Sequence, residues 1–440
     1  MMNAKTVHIV GLGGIGTSAI ARLFLANGAT VSGSDVHSSS IIDDLKNEGI
    51  EFRLGHFAEN VPRDCDLMIY SRAVPADNVE RQIASERSIV ELSYPEFLGE
   101  LAKTKKTIAV SGTNGKSTTT AMIASILIEA GLDPTVIVGT QVPGWERHNL
   151  RIGESEWLVV EACEHMASML NIAPDVAVIT NITEDHLDFY SGIDEIVETF
   201  QKWVSSIKSG GACVINAQDD ESAKIEFSKI EKFEVEGRHI DGENQSFMVD
   251  GDPYRLMIPG DFNAQNAAAA IVAAKHVGVS AGVCAQALEK FKGTWRRFEH
   301  LGVWKSADIY SDYAHHPDAI KGSISAFKEA KPDRRIVLVF EPHQHSRTKE
   351  LFDDFTTCFY GVDELILAEI YGVEGRAEDE AISAKVLADS VKGTGSIDDV
   401  HFAKDHDNAE SILRDVVKPN DVVIIMGAGS IDNLARKLVI

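Results

Sequence analysis

The segment Ser111-Gly112-Thr113-Asn114-Gly115-Lys116-Ser117 carries the most specific chemistry in this sequence of 440 residues. Glycines followed by Lys-Ser, between an apolar strand and a helix, form a loop whose backbone N–H groups can cradle phosphate. Lys116 would neutralise β/γ-phosphate charge, and the Ser117 hydroxyl would ligate Mg²⁺. Only Thr113 and Asn114 separate the glycines, fewer residues than in the longer form of such loops. Glu161 ends the strand reading Trp157–Glu161, and His186 follows the strand reading Val176–Thr180. On a parallel sheet both emerge at the edge that carries the loop, where ligands of a nucleotide-bound metal belong. Cys163 has no His or Asn placed beside it by sequence and reads as a small side chain near the site.

A second glycine cluster, Gly11-x-Gly13-Gly14-x-Gly16, follows the strand reading Thr6–Val10 and opens a helix, with Asp35 nineteen residues beyond Gly16. This is the spacing of a dinucleotide fingerprint, in which glycines let backbone N–H groups reach a pyrophosphate at a helix N-terminus. The spacing does not separate NAD from another pyrophosphate ligand. Asn263 and Asn266 share one face of an Ala-rich helix and can hydrogen-bond a base edge or cap the helix. Arg296 and Arg297 read as surface charge or as a bidentate phosphate clamp. Asp312, Tyr313, His315, His316, His343, His345 and Arg347 fall in two segments, each after an apolar strand. Their spacing matches no zinc motif, which favours substrate contact.

These residues need a scaffold, and the chain supplies apolar strands alternating with helical segments throughout, the pattern of parallel sheets covered on both faces. The length suits two to four domains. The tract Lys103–Lys106 reads as a linker and the chain restarts near residue 300, which divides it into α/β domains at 1–102, 103–299 and 300–440. A net charge of −25 repels phosphate polymers and anionic membrane, so nucleic acid and membrane are poor partners and an anionic ligand needs a local cluster of donors. Five scattered cysteines without a CxxC pair suit a reducing compartment. No stretch approaches a membrane span or a signal h-region, which predicts a cytoplasmic protein.

Taken together, the stretches GLGGIGTSAIA, SRAVPADNVE, SGTNGKSTTTAM, VVEACE, TNITEDHLDFY, RRFE, SDYAHHPDAI and PHQHSRT resemble the Mur ligase family along essentially the whole chain. The resemblance implies a Rossmann-like first domain that binds a UDP-sugar, a central P-loop ATPase domain, and a Rossmann-like third domain that brings the amino acid. It is strongest to the member that joins L-alanine to UDP-N-acetylmuramate through an acyl phosphate. It implies ATP and Mg²⁺ as cofactors, with a monomer or weak dimer expected. By this resemblance Gly11, Gly13, Gly14, Ile15, Gly16 and Thr17 hold the UDP pyrophosphate, and Ser71 and Asn78 face the nucleotide-sugar. Gly112 to Thr118, with Asn263, Asn266, Arg297 and Asp312, bind ATP, and Ser117, Glu161 and His186 hold the metal. Lys116 and Arg347 stabilise charge, and His315 or His343 takes the ammonium proton. Phe262 stands where many members have His, and no carbamoylated-lysine role is assigned to Lys202. The alternatives are a murein-tripeptide recycling ligase, an NAD-linked oxidoreductase built on the first motif, and a non-catalytic nucleotide-binding regulator.

Overall fold

The computed structural model describes residues 2–146, 148–187, 189–372, 382–397 and 399–440. The first sheet has β1 (Thr6–Val10), β2 (Thr30–Asp35), β3 (Glu51–Leu54), β4 (Leu67–Tyr70) and β5 (Val90–Ser93), all parallel, in the order β3-β2-β1-β4-β5. Because the order reverses between β1 and β4, the loops leaving these strands part and open a crevice at their C-terminal ends. All five residues of β1 are buried, as expected of a central strand in a covered parallel sheet. His8 is tolerated there because Ser32 Oγ lies 2.9 Å from its Nδ1 and the buried Glu80 carboxylate 3.1 Å from its Nε2.

The second sheet comprises β6 (Lys106–Ser111), β7 (Thr135–Ile137), β8 (Leu150–Arg151), β9 (Trp157–Glu161), β10 (Val176–Ile179), β11 (Ala212–Asn216) and β12 (Ile230–Phe233). Their order is β12-β11-β10-β6-β9-β7-β8, with β8 antiparallel to β7 at the edge. The strand β6 lies between β10 and β9 and parallel to both. The loops after these three strands therefore leave the sheet side by side. Of the lysine tract, Lys103–Lys105 joins the helix Tyr94–Ala102 to the second sheet, and Lys106 is already the first residue of β6.

A small sheet of β13 (Glu236–Asp241), β14 (Asn244–Val249) and β15 (Asp252–Leu256) follows in chain order. Its strands carry no strong periodic signal in the sequence, although Asp241-Gly242 and Asp250-Gly251 carry a turn signal, and both glycines adopt positive φ. The last sheet comprises β16 (Glu299–Trp304), β17 (Ala307–Asp312), β18 (Ile336–Phe340), β19 (Glu364–Ala368), β20 (Asp399–Ala403) and β21 (Val422–Met426), in the order β16-β17-β21-β18-β19-β20. It is parallel except for β16, which runs antiparallel to β17.

The chain gathers into two compact units. One holds the chain up to Glu236 with Met248–Pro253 and Gln265–Glu289, and so contains the first two sheets; the other holds Gly237–Phe247, Tyr254–Ala264 and Lys290–Ile440. Within the first unit, the buried Asn149 amide accepts from Arg22 Nη1 at 2.9 Å and donates to Ser18 Oγ at 3.0 Å. Arg72, after β4, donates to Met166 O and Ser168 Oγ, both at 2.8 Å. These bonds tie the first sheet to the second where the two glycine loops open.

Candidate active site

The loop after β6 is shaped by its glycines. Gly112 has φ +137°, and a Cβ there would run into Thr180 Oγ1 and come within 2.9 Å of Asn181 O. Gly115 has φ +85° and precedes the helix Lys116–Glu129, where a Cβ would run into Asn266 Oδ1. The loop is pinned to the segment after β10. Thr113 N donates to Asn181 O at 3.0 Å, Asn114 N to Asn181 Oδ1 at 3.0 Å, and Asn181 Nδ2 returns a bond to Asn114 O at 3.0 Å. Ser117 is half-buried and Thr118 buried in the first turn of the helix, whose N-terminus favours an anion.

Lys116 folds back over this loop. Its Nζ donates to Gly112 O at 2.6 Å and Thr113 O at 3.0 Å, and pairs with the Glu164 carboxylate at 2.9 and 3.0 Å. Burial opposes the lysine charge, but Glu164, Cys163 and Glu161 together outweigh it and hold the ammonium above its ordinary value. Burial likewise opposes the Glu164 charge; Lys116 and then His186 hold that carboxyl below its ordinary value. His186 Nε2 lies 3.3 Å from Glu164 Oε1, and its ring stacks on His165 with centroids 4.2 Å apart. Glu161, at the end of β9, accepts from Gly139 N at 2.5 Å and contributes to the field at Lys116.

Mg²⁺ takes few protein ligands and completes its shell with water and phosphate oxygens. Among the described residues no group of three or more His, Cys, Asp or Glu is arranged as a metal cage. A hydroxyl and carboxylates beside a phosphate cradle fit an ion that arrives with its nucleotide, and not one held in an all-protein site.

The crevice of the first sheet opens into a cavity of about 300 Å³. Its lining includes Gly14 to Thr17, Ser71, Tyr94, Glu161, Cys163 and His165. A Cβ on Gly16 would meet the Tyr94 hydroxyl at 2.9 Å, so the glycine lets the ring sit on the loop. Gly11 has φ +81°, and its carbonyl accepts from Thr17 Oγ1 at 2.7 Å. Asp35, at the end of β2, turns back to the glycine loop, its Oδ2 accepting from Gly13 N at 2.8 Å. Asn78 caps the helix Val79–Glu86, its Oδ1 accepting from Glu80 N at 2.9 Å.

In the second unit, Asp312 is buried with both oxygens committed to backbone, accepting from Phe298 N and Ala314 N at 2.9 Å each. Its carboxyl is raised by burial, so it acts as a brace for the loops after β17 and before β16. Arg296 is also structural, donating to Gly427 O and, at 3.0 Å, to Gly429 O; Arg297 stands over the Tyr313 ring, 5.0 Å from its centroid. Asn263 Nδ2 donates to Pro259 O at 2.7 Å, a bond to the turn before the helix Asp261–His276 and not a cap, whereas Asn266 reaches the phosphate loop. His315 and His343 face each other edge to face, with ring centroids 6.0 Å apart.

Burial, then the Arg347 charge, lower His315 to about 3, while its Nδ1 lies 2.9 Å from Tyr313 O. The imidazole is neutral at pH 7, and in this state it is a weaker base than an ordinary histidine. A folded value below the unfolded one gives stability that is present above about pH 6.5 and lost as the pH falls toward 3. His315→Gln is therefore expected to flatten the fall in unfolding free energy between those pH values. Parallel acid-denaturation curves for the variant and the parent would refute this environment for the ring.

Family models match the chain in three consecutive stretches. "Mur ligase family, catalytic domain" matches residues 6–106, "Mur ligase middle domain" residues 110–274, and "Mur ligase, glutamate ligase domain" residues 296–429. A UDP-N-acetylmuramate–L-alanine ligase of Geobacter sulfurreducens is 38% identical over 97% of this chain and 95% of its own. The chain belongs to the Mur ligase family. A ligase of the same description from Aquifex aeolicus is also 38% identical over 97% of this chain and 95% of its own. The crystal structure of UDP-N-acetylmuramate-alanine ligase from Thermotoga maritima superposes with a TM-score of 0.86 at 28% identity, covering 99% of this chain and 98% of that one. A murein peptide ligase from Psychrobacter arcticus shares the fold, with a TM-score of 0.72 at 23% identity over 99% and 98% of the two chains.

In this Mur ligase the structure gathers Gly112 to Thr118, Glu161, His186 and Asn266 around one loop, and Gly14 to Thr17 with Ser71 around the cavity that reaches Glu161. It gives Asn78, Asp312 and Asn263 capping or bracing bonds. Sequence reasoning missed Glu164, which touches Lys116 and His186, and the Glu341–His406 pair, 2.5 Å apart beside the loop after β21. Glu164 stands next to no strand end or glycine signal of its own; a second acid three residues after Glu161 was the available clue.

Proposed function

We propose that this Mur ligase joins L-alanine to the lactyl carboxylate of UDP-N-acetylmuramate at the expense of ATP, in peptidoglycan precursor synthesis. The observation that carries this reading is the cavity lined both by Gly14 to Thr17 of the first glycine loop and by Glu161, whose charge acts on Lys116 of the second. A sugar nucleotide bound by its pyrophosphate at the first loop would extend its muramoyl group along this cavity toward Lys116. The carboxylate attacks the γ-phosphate, giving an acyl phosphate and ADP, and the amine then attacks the acyl carbon and expels phosphate. Lys116 donates to the transferring phosphoryl oxygens, and Ser117, Glu161 and His186 are the residues to hold Mg²⁺, which when bound neutralises phosphate charge. Arg347 holds an anionic group in the amine half of the reaction, with His315 or His343 as the acceptor of its proton. The functional domains are residues 1–102, 103–299 and 300–440, a division supported by where the three family models begin and end. We expect a cytoplasmic monomer or weak dimer with no nucleic-acid or membrane partner; among the described residues no helix is long and apolar enough to cross a membrane.

The likeness in fold to a murein peptide ligase makes tripeptide the competing amine substrate. Phosphate release at saturating ATP and UDP-N-acetylmuramate is expected to depend on L-alanine. Glycine and L-serine should be slower substrates, because a pocket for one methyl group discriminates by roughly 1 to 3 kcal/mol. A larger kcat/KM for tripeptide than for L-alanine would move the protein to the recycling reaction. An NAD-linked oxidoreductase is disfavoured because it leaves the loop from Gly112 to Ser117 without a role.

A further inference from the structure

Glu164 lies outside the regular strands, three residues beyond Glu161, and is 3% exposed. Its carbonyl accepts from the Tyr190 hydroxyl at 2.5 Å, and the ring of the next residue, His165, stacks on His186. Both backbone and neighbours therefore fix where its carboxylate points. That carboxylate takes one bond from Lys116, whose other donors go to Gly112 O and Thr113 O, so all three ammonium protons are engaged by the loop and Glu164. It also turns His186 by its Nε2, as an acidic partner commonly does for a histidine at a metal. With Glu161 nearby, a polyphosphate arriving without a cation meets two carboxylates that the single lysine does not balance.

We propose that Glu164 is a positioning residue: it holds the Lys116 ammonium and the His186 ring in place before nucleotide arrives, and it makes nucleotide binding depend on a divalent cation. The proposal rests on the phosphate-site reading of this loop. Calorimetric titration with ADP, in Mg²⁺ and in EDTA, tests it on the parent, Glu164→Gln and Glu164→Asp. In the parent Mg²⁺ should tighten ADP binding. In Glu164→Gln the Mg²⁺/EDTA affinity ratio should shrink about tenfold, the scale of removing one charge from a half-buried site, chiefly because metal-free ADP binds better. Glu164→Asp keeps the charge and should keep the ratio.

An unchanged ratio in folded Glu164→Gln overturns the proposal, whether or not its thermal midpoint falls. Should that variant not fold, Lys116→Met combined with Glu164→Gln removes both buried charges. The pair variant should bind metal-free ADP more tightly than Lys116→Met alone, and equal binding overturns the proposal. If the parent binds no ADP under either condition, the phosphate-site reading itself fails.

Discussion

Lys116→Ala is expected to lower the rate of phosphate release from ATP by at least about 10²-fold, the scale of losing one preorganised donor to developing charge. The same change should also destabilise the protein. Glu164 is 3% exposed and would keep the His186 ring at 3.3 Å, having lost the ammonium at 2.9 Å. Breaking a buried pair from one side costs about 3 kcal/mol or more, because the remaining charge stays out of water. Lys116→Ala with Glu164→Gln should recover most of that stability and none of the rate. The two measurements are chemical denaturation and phosphate release on both variants. Near-parental turnover in folded Lys116→Ala would end the assignment of this lysine to the reaction.

Gly115→Ala should have the second largest effect. At φ +85° an alanine pays about 1–2 kcal/mol for the left-handed backbone, and its Cβ would collide with Asn266 Oδ1. Asn266 cannot simply swing away: it is 5% exposed and its Oδ1 accepts from Thr119 Oγ1 at 3.2 Å. The loop must move instead, and with it the first N–H groups of the helix Lys116–Glu129. A displacement near 1 Å at a reacting centre can cost about 10²-fold, so kcat/KM for ATP should fall on that order. Adding Asn266→Ala removes the collision partner but not the backbone strain, and should return part of the lost thermal stability. Unaltered ATP kinetics in Gly115→Ala would show that the loop is not held where the structure places it.

The loop after β6 and the glycine turn after β1 were legible in the sequence because their chemistry is local. A strand, two glycines that need positive φ, and a helix N-terminus are all specified within a dozen residues, and the structure places Gly112, Gly115 and Gly11 in that conformation. The central strands were legible for a similar reason. Thr6–Val10 and Trp157–Glu161 are apolar runs buried on both faces, and their bounds are those of β1 and β9. The small sheet β13–β15 was overlooked because its strands alternate polar and apolar residues weakly and its Asp-Gly turns were outweighed by the surrounding polar composition.

Partnership between residues far apart in the chain is what tertiary structure decided. Nothing local distinguishes an acid that binds a ligand from one that braces a loop. Asp35 and Asp312 both end strands in the expected position, yet Asp35 turns an oxygen back to Gly13 N and Asp312 gives both of its oxygens to backbone N–H groups. Glu164, without a motif of its own, became the partner of Lys116, 48 positions away in sequence, because β6, β9 and β10 lie side by side and release their loops at one edge. Strand order sets those neighbours, and it follows from how the helices and strands pack together, which no segment of the sequence specifies alone.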